Sequence, residues 1–320
     1  MSPPCIALVS EALDLRYLVP SFEAACPGID LRIGTDARSL SGTGSLDDID
    51  AAVCWFAPHG LLARLPRLRL VQSLAAGVDH LLADRALPRQ LPLCRVVDRT
   101  MGAGMNAYVV WAVVQHHRSM QGYVASAAAG RWEEQPISSP RDYRVGLAGL
   151  GALGKSCAGA LAAIGYDVRG WSRSAKDDLP DGVTGYHGDE QLADFLGGCD
   201  TLVCLLPLTA ETRGFLDARL FARLPPGAHV VNVGRGDHLV ERDLLDALDH
   251  GLLSAATLDT FPVEPLAADH PFWLHPRILV TPHVATRTER SVIARQTLAN
   301  LAAVARGERP QHQVDLERGY

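Results

Sequence analysis

Short apolar runs alternate with longer amphipathic stretches along nearly the whole chain. Residues 6–9, 51–55, 70–73 and 93–97 have the length and composition of buried strands, and 10–26 has the pattern of a helix between the first two. Strands that alternate with helical crossovers pair in parallel, with helices layered over the sheet. The fold class that follows is α/β, and the pattern predicts more than one doubly wound parallel sheet.

With 320 residues, 48% of them hydrophobic, the chain can bury a sizeable core and has the length of about two domains. The first strand-rich stretch ends near residue 100. An Ala-, Val- and Met-rich periodic segment, 102–123, reads as one linking helix, and 131–140 (RWEEQPISSP) reads as a surface excursion. A second α/β unit then opens at Arg144, with strands at 145–148, 167–171, 201–205, 228–231, 255–258 and 278–280 and a helix at 152–164. A final helix over 289–306 can return to the first unit. The expected division is 1–101 plus 287–320 for one domain and 102–286 for the other, inserted between its two parts.

Composition narrows the partners. The net charge of −6 is spread without runs of like charge, so nucleic acid is not expected. No apolar stretch approaches the ~20 residues that span a bilayer, and the start, MSPPCIALVSEALD, lacks the pattern of an export signal. The expectation is a soluble, cytoplasmic protein with no membrane partner. Seven cysteines, at 5, 26, 54, 94, 157, 199 and 204, are odd in number and show no zinc spacing, so no metal is expected and the thiols read as small buried hydrophobes.

Between the strand 145–148 and the helix 152–164 lies Gly149-Leu150-Gly151-Ala152-Leu153-Gly154. In that setting the first glycine permits a tight turn, the second lets a pyrophosphate approach the backbone, and the third lets helix and sheet pack closely. A dinucleotide is the implied ligand. Where an NAD-binding unit has an acid at the end of its second strand, this chain has Trp171-Ser172-Arg173-Ser174. Asp167 lies at the wrong end of that strand. Arg173 with two serine hydroxyls suits a 2′-phosphate, so NADPH (NADP) is expected to be preferred over NADH (NAD).

Three charged residues follow later strand-like runs: Arg235 after 228–231, Glu264 after 255–258 and His283 after 278–281. Ligand crevices in open α/β sheets form at the carboxyl ends of strands, where a cation, a carboxylate and an imidazole could meet over an anion.

The ordered motifs GLGALG, LLPLTAETRG, VNVGRG, DTFPVEPL and TPH resemble the D-isomer-specific 2-hydroxyacid dehydrogenases. WSRS, PFWLHPR and the terminal QVDLERGY are most similar to the family's bacterial glyoxylate/hydroxypyruvate reductases. The resemblance is dense over the second unit and thin over the first hundred residues. It implies a Rossmann-type coenzyme domain inserted into a flavodoxin-like substrate domain. It also implies an NADP-dependent oxidoreductase that reduces glyoxylate to glycolate and hydroxypyruvate to D-glycerate. Alternatives stay open: a dehydrogenase for a bulkier hydroxy acid, or a dinucleotide-sensing binding protein of the same fold.

The resemblance also implies roles. Arg235 would hold the substrate carboxylate and polarise the keto oxygen. His283 would be the general acid, and Glu264 would bond its other ring nitrogen, fixing the tautomer and favouring the protonated ring. The loop Ala75 to Asp79 matches a family substrate loop in which backbone N–H groups of Ala76 and Gly77 would bind the carboxylate. Trp55 would wall the pocket. Leu206, Pro207, Thr212, Val233 and Asp259 match cofactor-side positions. A homodimer through the linking helix and the coenzyme unit is implied, in which Trp132 reads either as an ordinary interface residue or as one that reaches the partner subunit's active site. Two positions depart from the family pattern: Ala107 stands before Tyr108 where relatives often carry Glu, and EPLP reads Glu264-Pro265-Leu266-Ala267. The first puts the contacts at the start of the linking helix in doubt.

Overall fold

The structure, a computed structural model, describes residues 3–42 and 44–317. The last three residues of the QVDLERGY motif, 318–320, lie outside the described residues. The chain divides into two compact units, Met1–Met101 with Arg287–Tyr320, and Gly102–Thr286.

The first unit holds a five-stranded, all-parallel sheet of β1 (Cys5–Val9), β2 (Asp30–Gly34), β3 (Ala51–Cys54), β4 (Leu70–Ser73) and β5 (Leu93–Cys94). Its order, β2-β1-β3-β4-β5, is the flavodoxin-like one. Strand β2, DLRIG, was not expected. Only Arg32 in it is buried, among half-buried neighbours, so it lacks the continuous apolar run of β1. The helix expected over 10–26 is shorter. The Ser10 hydroxyl accepts from the Ala12 and Leu13 N–H groups, Asp14 caps a 3-10 turn, and the α-helix proper is Val19–Ala25 with Pro20 in its first turn.

The second unit holds a seven-stranded parallel sheet: β6 (Arg144–Ala148), β7 (Asp167–Ser172), β8 (Val183–His187), β9 (Thr201–Cys204), β10 (Ala228–Asn232), β11 (Leu253–Leu258) and β12 (Ile278–Val280). Six strands were expected; β8, VTGYH, is the added edge strand, and it buries none of its residues fully. The order β12-β11-β10-β9-β6-β7-β8 contains the Rossmann arrangement, with its switch point between β6 and β9. Adjacent residues on each central strand serve opposite faces. Val203 and Val231 pack with Val109, Val113 and Leu161, whereas Leu202 and Val230 pack with Phe195, Phe221 and Leu248.

The linking segment is two helices, Arg99–His117 and Met120–Ala128, rather than one. Ser119, at φ +50°, breaks them, a left-handed turn that no Gly or Pro announces. All seven cysteines are free and six are buried. Burial pushes each of those six thiols up to about 12. No helix among the described residues is long and apolar enough to cross a membrane.

Candidate active site

The glycine turn follows β6 at the switch point. Gly149 has φ +111°, open to glycine at little cost, and its N–H donates to the Trp171 carbonyl at 2.8 Å. A Cβ on Gly154 would run into the Gly149 carbonyl oxygen, so the helix Ala152–Ile164 can start this close to the turn only with glycine there. Gly151 differs: it is exposed, and a Cβ on it would meet nothing within 4 Å. That clearance above the helix start is what a pyrophosphate requires. Ala152 is also exposed, and Leu153 is half-buried.

Strand β7 ends at Ser172, beyond which Arg173 and Ser174 are exposed. Trp171 is buried: its indole N–H donates to the Gly188 carbonyl at 2.8 Å and its ring stacks on Phe215. The Ser172 hydroxyl donates to the Ser174 carbonyl at 2.8 Å. Asp167 stands at the opposite end of β7, in register with Arg144 and ion-paired with Arg169. No acid therefore marks the end of β7, and a guanidinium is in its place. The donor set fits a dinucleotide with a 2′-phosphate.

Across the switch point, Leu206 and Pro207 follow β9. The Thr212 hydroxyl donates to the Pro207 carbonyl at 2.7 Å and accepts the Thr209 N–H at 2.8 Å, which closes the loop on itself. Val233, at the end of β10, is buried and donates its N–H to the Cys204 carbonyl.

The loop after β10 presents Arg235. Asn232 donates its amide to the Arg235 carbonyl at 2.9 Å and accepts the Gly234 N–H at 3.2 Å, while buried His238 accepts the Arg235 N–H on Nδ1 at 3.0 Å. A Cβ on Gly236 would overlap the Phe261–Pro262 backbone, which brings the Arg235 loop against the loop that follows β11. Sequence reasoning named neither Asn232 nor His238, although Asn232 stands inside the VNVGRG motif.

Glu264, in the loop after β11, divides its carboxylate. Oε1 accepts the Phe261 N–H at 3.0 Å, and Oε2 lies 2.8 Å from His283 Nδ1. Burial alone would raise the Glu264 carboxyl. The His283 and Phe261 hydrogen bonds, with the charges of His283 and Arg235, outweigh burial and hold it below its ordinary value. A carboxylate can only accept, so Nδ1 carries the proton in this pair and Nε2 is the ring's other face. The structure thus brings Glu264 and His283 into direct contact, with Arg235 near enough to act on the same carboxylate. Asp259 is 1% exposed, and both of its oxygens accept from the 281–285 turn.

The positions expected on the substrate side lie in the first unit. Trp55 follows β3, half-buried, its ring 4.7 Å from that of His80. Ala76 and Gly77 are half-buried in the turn after β4, where the Ser73 hydroxyl donates to the Gly77 carbonyl at 2.7 Å.

A family model described as "D-isomer specific 2-hydroxyacid dehydrogenase, NAD binding domain" matches residues 110–285. Glyoxylate/hydroxypyruvate reductase A of Serratia proteamaculans is 44% identical over 276 residues, covering 85% of this chain and 88% of that protein. The crystal structure of a D-isomer specific 2-hydroxyacid dehydrogenase from Xanthobacter autotrophicus Py2, in complex with NADPH and MES, is 38% identical over the full length of both chains with a TM-score of 0.91. That of an NADPH-dependent glyoxylate/hydroxypyruvate reductase from Sinorhizobium meliloti, with NADP and sulfate, is 36% identical, covers 99% of this chain and 100% of that one, and has a TM-score of 0.90. The glycine turn, the sheet order and these matches agree, and the chain belongs to the D-isomer specific 2-hydroxyacid dehydrogenase family.

Proposed function

We propose that this chain is an NADPH-dependent reductase of small 2-oxo acids, taking glyoxylate to glycolate and hydroxypyruvate to D-glycerate. The observation that carries the reading is the 2.8 Å pair of His283 and Glu264 with the Arg235 charge beside it. NADPH, when bound at the Gly149 to Gly154 turn, supplies the hydride. Gly151 leaves room for the pyrophosphate, and Arg173 and Ser174 accept the 2′-phosphate. Ala152, Leu153, Leu206, Pro207, Thr212 and Val233 complete the cofactor side.

Arg235 holds the substrate carboxylate and polarises the keto oxygen. His283 gives its Nε2 proton to that oxygen as the carbonyl carbon is reduced, and takes it back in the reverse direction. Glu264 keeps Nδ1 protonated, so that the proton leaving the ring leaves from Nε2. The net change consumes one oxo acid, one NADPH and one proton and yields one hydroxy acid and NADP.

The chain is further proposed to work as a homodimer in the cytoplasm. Trp111, Val124, Trp132 and Ile137 in the second unit are exposed apolar side chains, Trp132 at 94%, of the kind a partner surface covers.

The test is NADPH oxidation with glyoxylate, hydroxypyruvate and pyruvate, repeated with NADH. Turnover near a typical ~10 s⁻¹ is expected for the first two acids, with pyruvate poorer and NADH less effective. Turnover below about 0.1 s⁻¹ with all three acids would refute the reading.

A further inference from the structure

His283 is held in an unusual backbone conformation. Its φ is +52°, in the left-handed region that L side chains seldom occupy, and its N–H donates to the Thr281 carbonyl two residues back at 3.0 Å. Something outside the turn has to hold it there. Asp259 does so from both sides. Its Oδ1 accepts the Thr281 hydroxyl at 2.7 Å and the Val284 N–H at 2.8 Å, and its Oδ2 accepts the Ala285 N–H at 2.9 Å. The carboxylate therefore grips the residue two before the imidazole and the two residues after it.

The grip extends one residue further. Tyr108, on the helix Arg99–His117, places its hydroxyl 2.6 Å from Thr281 Oγ1. A threonine hydroxyl has one proton to give, and here it is committed to the ionised carboxylate, so Tyr108 is the donor to Thr281. Burial, followed by the nearby Asp259 charge, raises the phenol and outweighs the Thr281 bond, so this proton stays in place over the working pH range. The order of donation is Tyr108 to Thr281 to Asp259. The position before Tyr108, where the family often carries Glu and this chain has Ala107, takes no part.

We propose that Tyr108 and Thr281 are positioning residues for His283: through Asp259 they fix the left-handed turn, and so the direction in which the imidazole offers its proton. Neither side chain is required to touch substrate. The inference rests on the reductase reading for its kinetic test, and on the turn geometry alone for its spectroscopic one.

The experiment compares Tyr108→Phe, Thr281→Ala, Thr281→Ser and the double variant Tyr108→Phe/Thr281→Ala with the wild type. Misplacing a catalytic group by a fraction of an ångström costs rate rather than affinity, so Thr281→Ala is expected to lower kcat about 30-fold with NADPH affinity within about twofold. Thr281→Ser restores the hydroxyl and should return kcat to within about threefold. Tyr108→Phe should lose about fivefold, and the double variant should be no worse than Thr281→Ala, because the phenol acts only through the threonine.

The His283 ring signal in NMR, assigned by its loss in His283→Gln, should shift in Thr281→Ala and return in Thr281→Ser. Multiplicative losses in the double variant, failure of serine to rescue, or lowered melting temperatures with unchanged kcat and an unmoved ring signal would each overturn the proposal. If Thr281→Ala does not fold, Tyr108→Phe carries the test by both readouts. If the wild type reduces no 2-oxo acid, the reductase reading fails while the ring signal still decides on the relay.

Discussion

Replacing Glu264 with Gln keeps the shape of the side chain and exposes what its charge does. Glu264 offers two acceptor oxygens, one to the Phe261 N–H at 3.0 Å and one to His283 Nδ1 at 2.8 Å. Glutamine has only one. If that oxygen keeps the backbone N–H, an NH2 group faces Nδ1, and the ring must accept there, which opposes the doubly protonated form that a general acid needs. If the amide turns over, the Phe261 N–H is abandoned instead. A hydrogen bond to a charged partner contributes about 1.5–3 kcal/mol in typical cases. The side chains of His283 and Glu264 are 32% and 34% exposed, so solvent screening places this pair at the low end, about 1.5–2 kcal/mol. That corresponds to a loss of roughly 10- to 30-fold in kcat/KM for glyoxylate. NADPH-oxidation rates with glyoxylate test this, with cofactor binding measured separately. A Glu264→Gln enzyme within about twofold of wild type, or a loss confined to cofactor affinity, would refute the reasoning.

Arg173→Ala should raise the KM for NADPH by about tenfold and leave that for NADH nearly unchanged; an unaltered ratio of the two kcat/KM values would count against the 2′-phosphate assignment. The glycines of the turn should separate cleanly. Gly151→Ala is expected to keep stability within about 0.5 kcal/mol in urea melts while weakening NADPH binding, whereas Gly154→Ala, whose methyl meets the Gly149 carbonyl, should cost at least about 1–3 kcal/mol. The helix residue His116 stacks at 4.3 Å on fully buried His229, and burial followed by neighbouring histidine charge lowers both, His116 to about 4. The unfolded chain therefore binds protons that the folded one refuses. Stability is complete above the unfolded value near 6.5 and falls as pH drops from there toward 4, by about 2 kcal/mol for His116 at pH 5. His116→Gln should flatten the fall between pH 7 and 5 in thermal melts; an identical slope would exclude this origin.

The features that were legible in the sequence share a cause. Strands buried on both faces, such as ALV in β1 and LVC in β9, are continuous apolar runs, and the glycine turn carries its own reason for each glycine. Two edge strands escaped, β2 and β8. Strand β2 carries Arg32 at its centre and β8 carries exposed Thr184 and His187, so neither has the continuous apolar run of β1 or β9. The helix break at Ser119 escaped because its left-handed turn uses a serine. At the site, Arg235, Glu264 and His283 each sit inside a short recognisable motif. The relay behind His283 does not: Tyr108 and Thr281 stand 173 residues apart, and only the fold gives them a common address.

The seven cysteines have a practical consequence. Six are buried and, with thiols pushed up to about 12, hold almost no thiolate at neutral pH, while Cys26 alone is partly open to solvent. To an alkylating dye or a mild oxidant the folded chain presents essentially one reactive sulfur. A fluorophore attached there would report from a known position without any cysteine having to be engineered away.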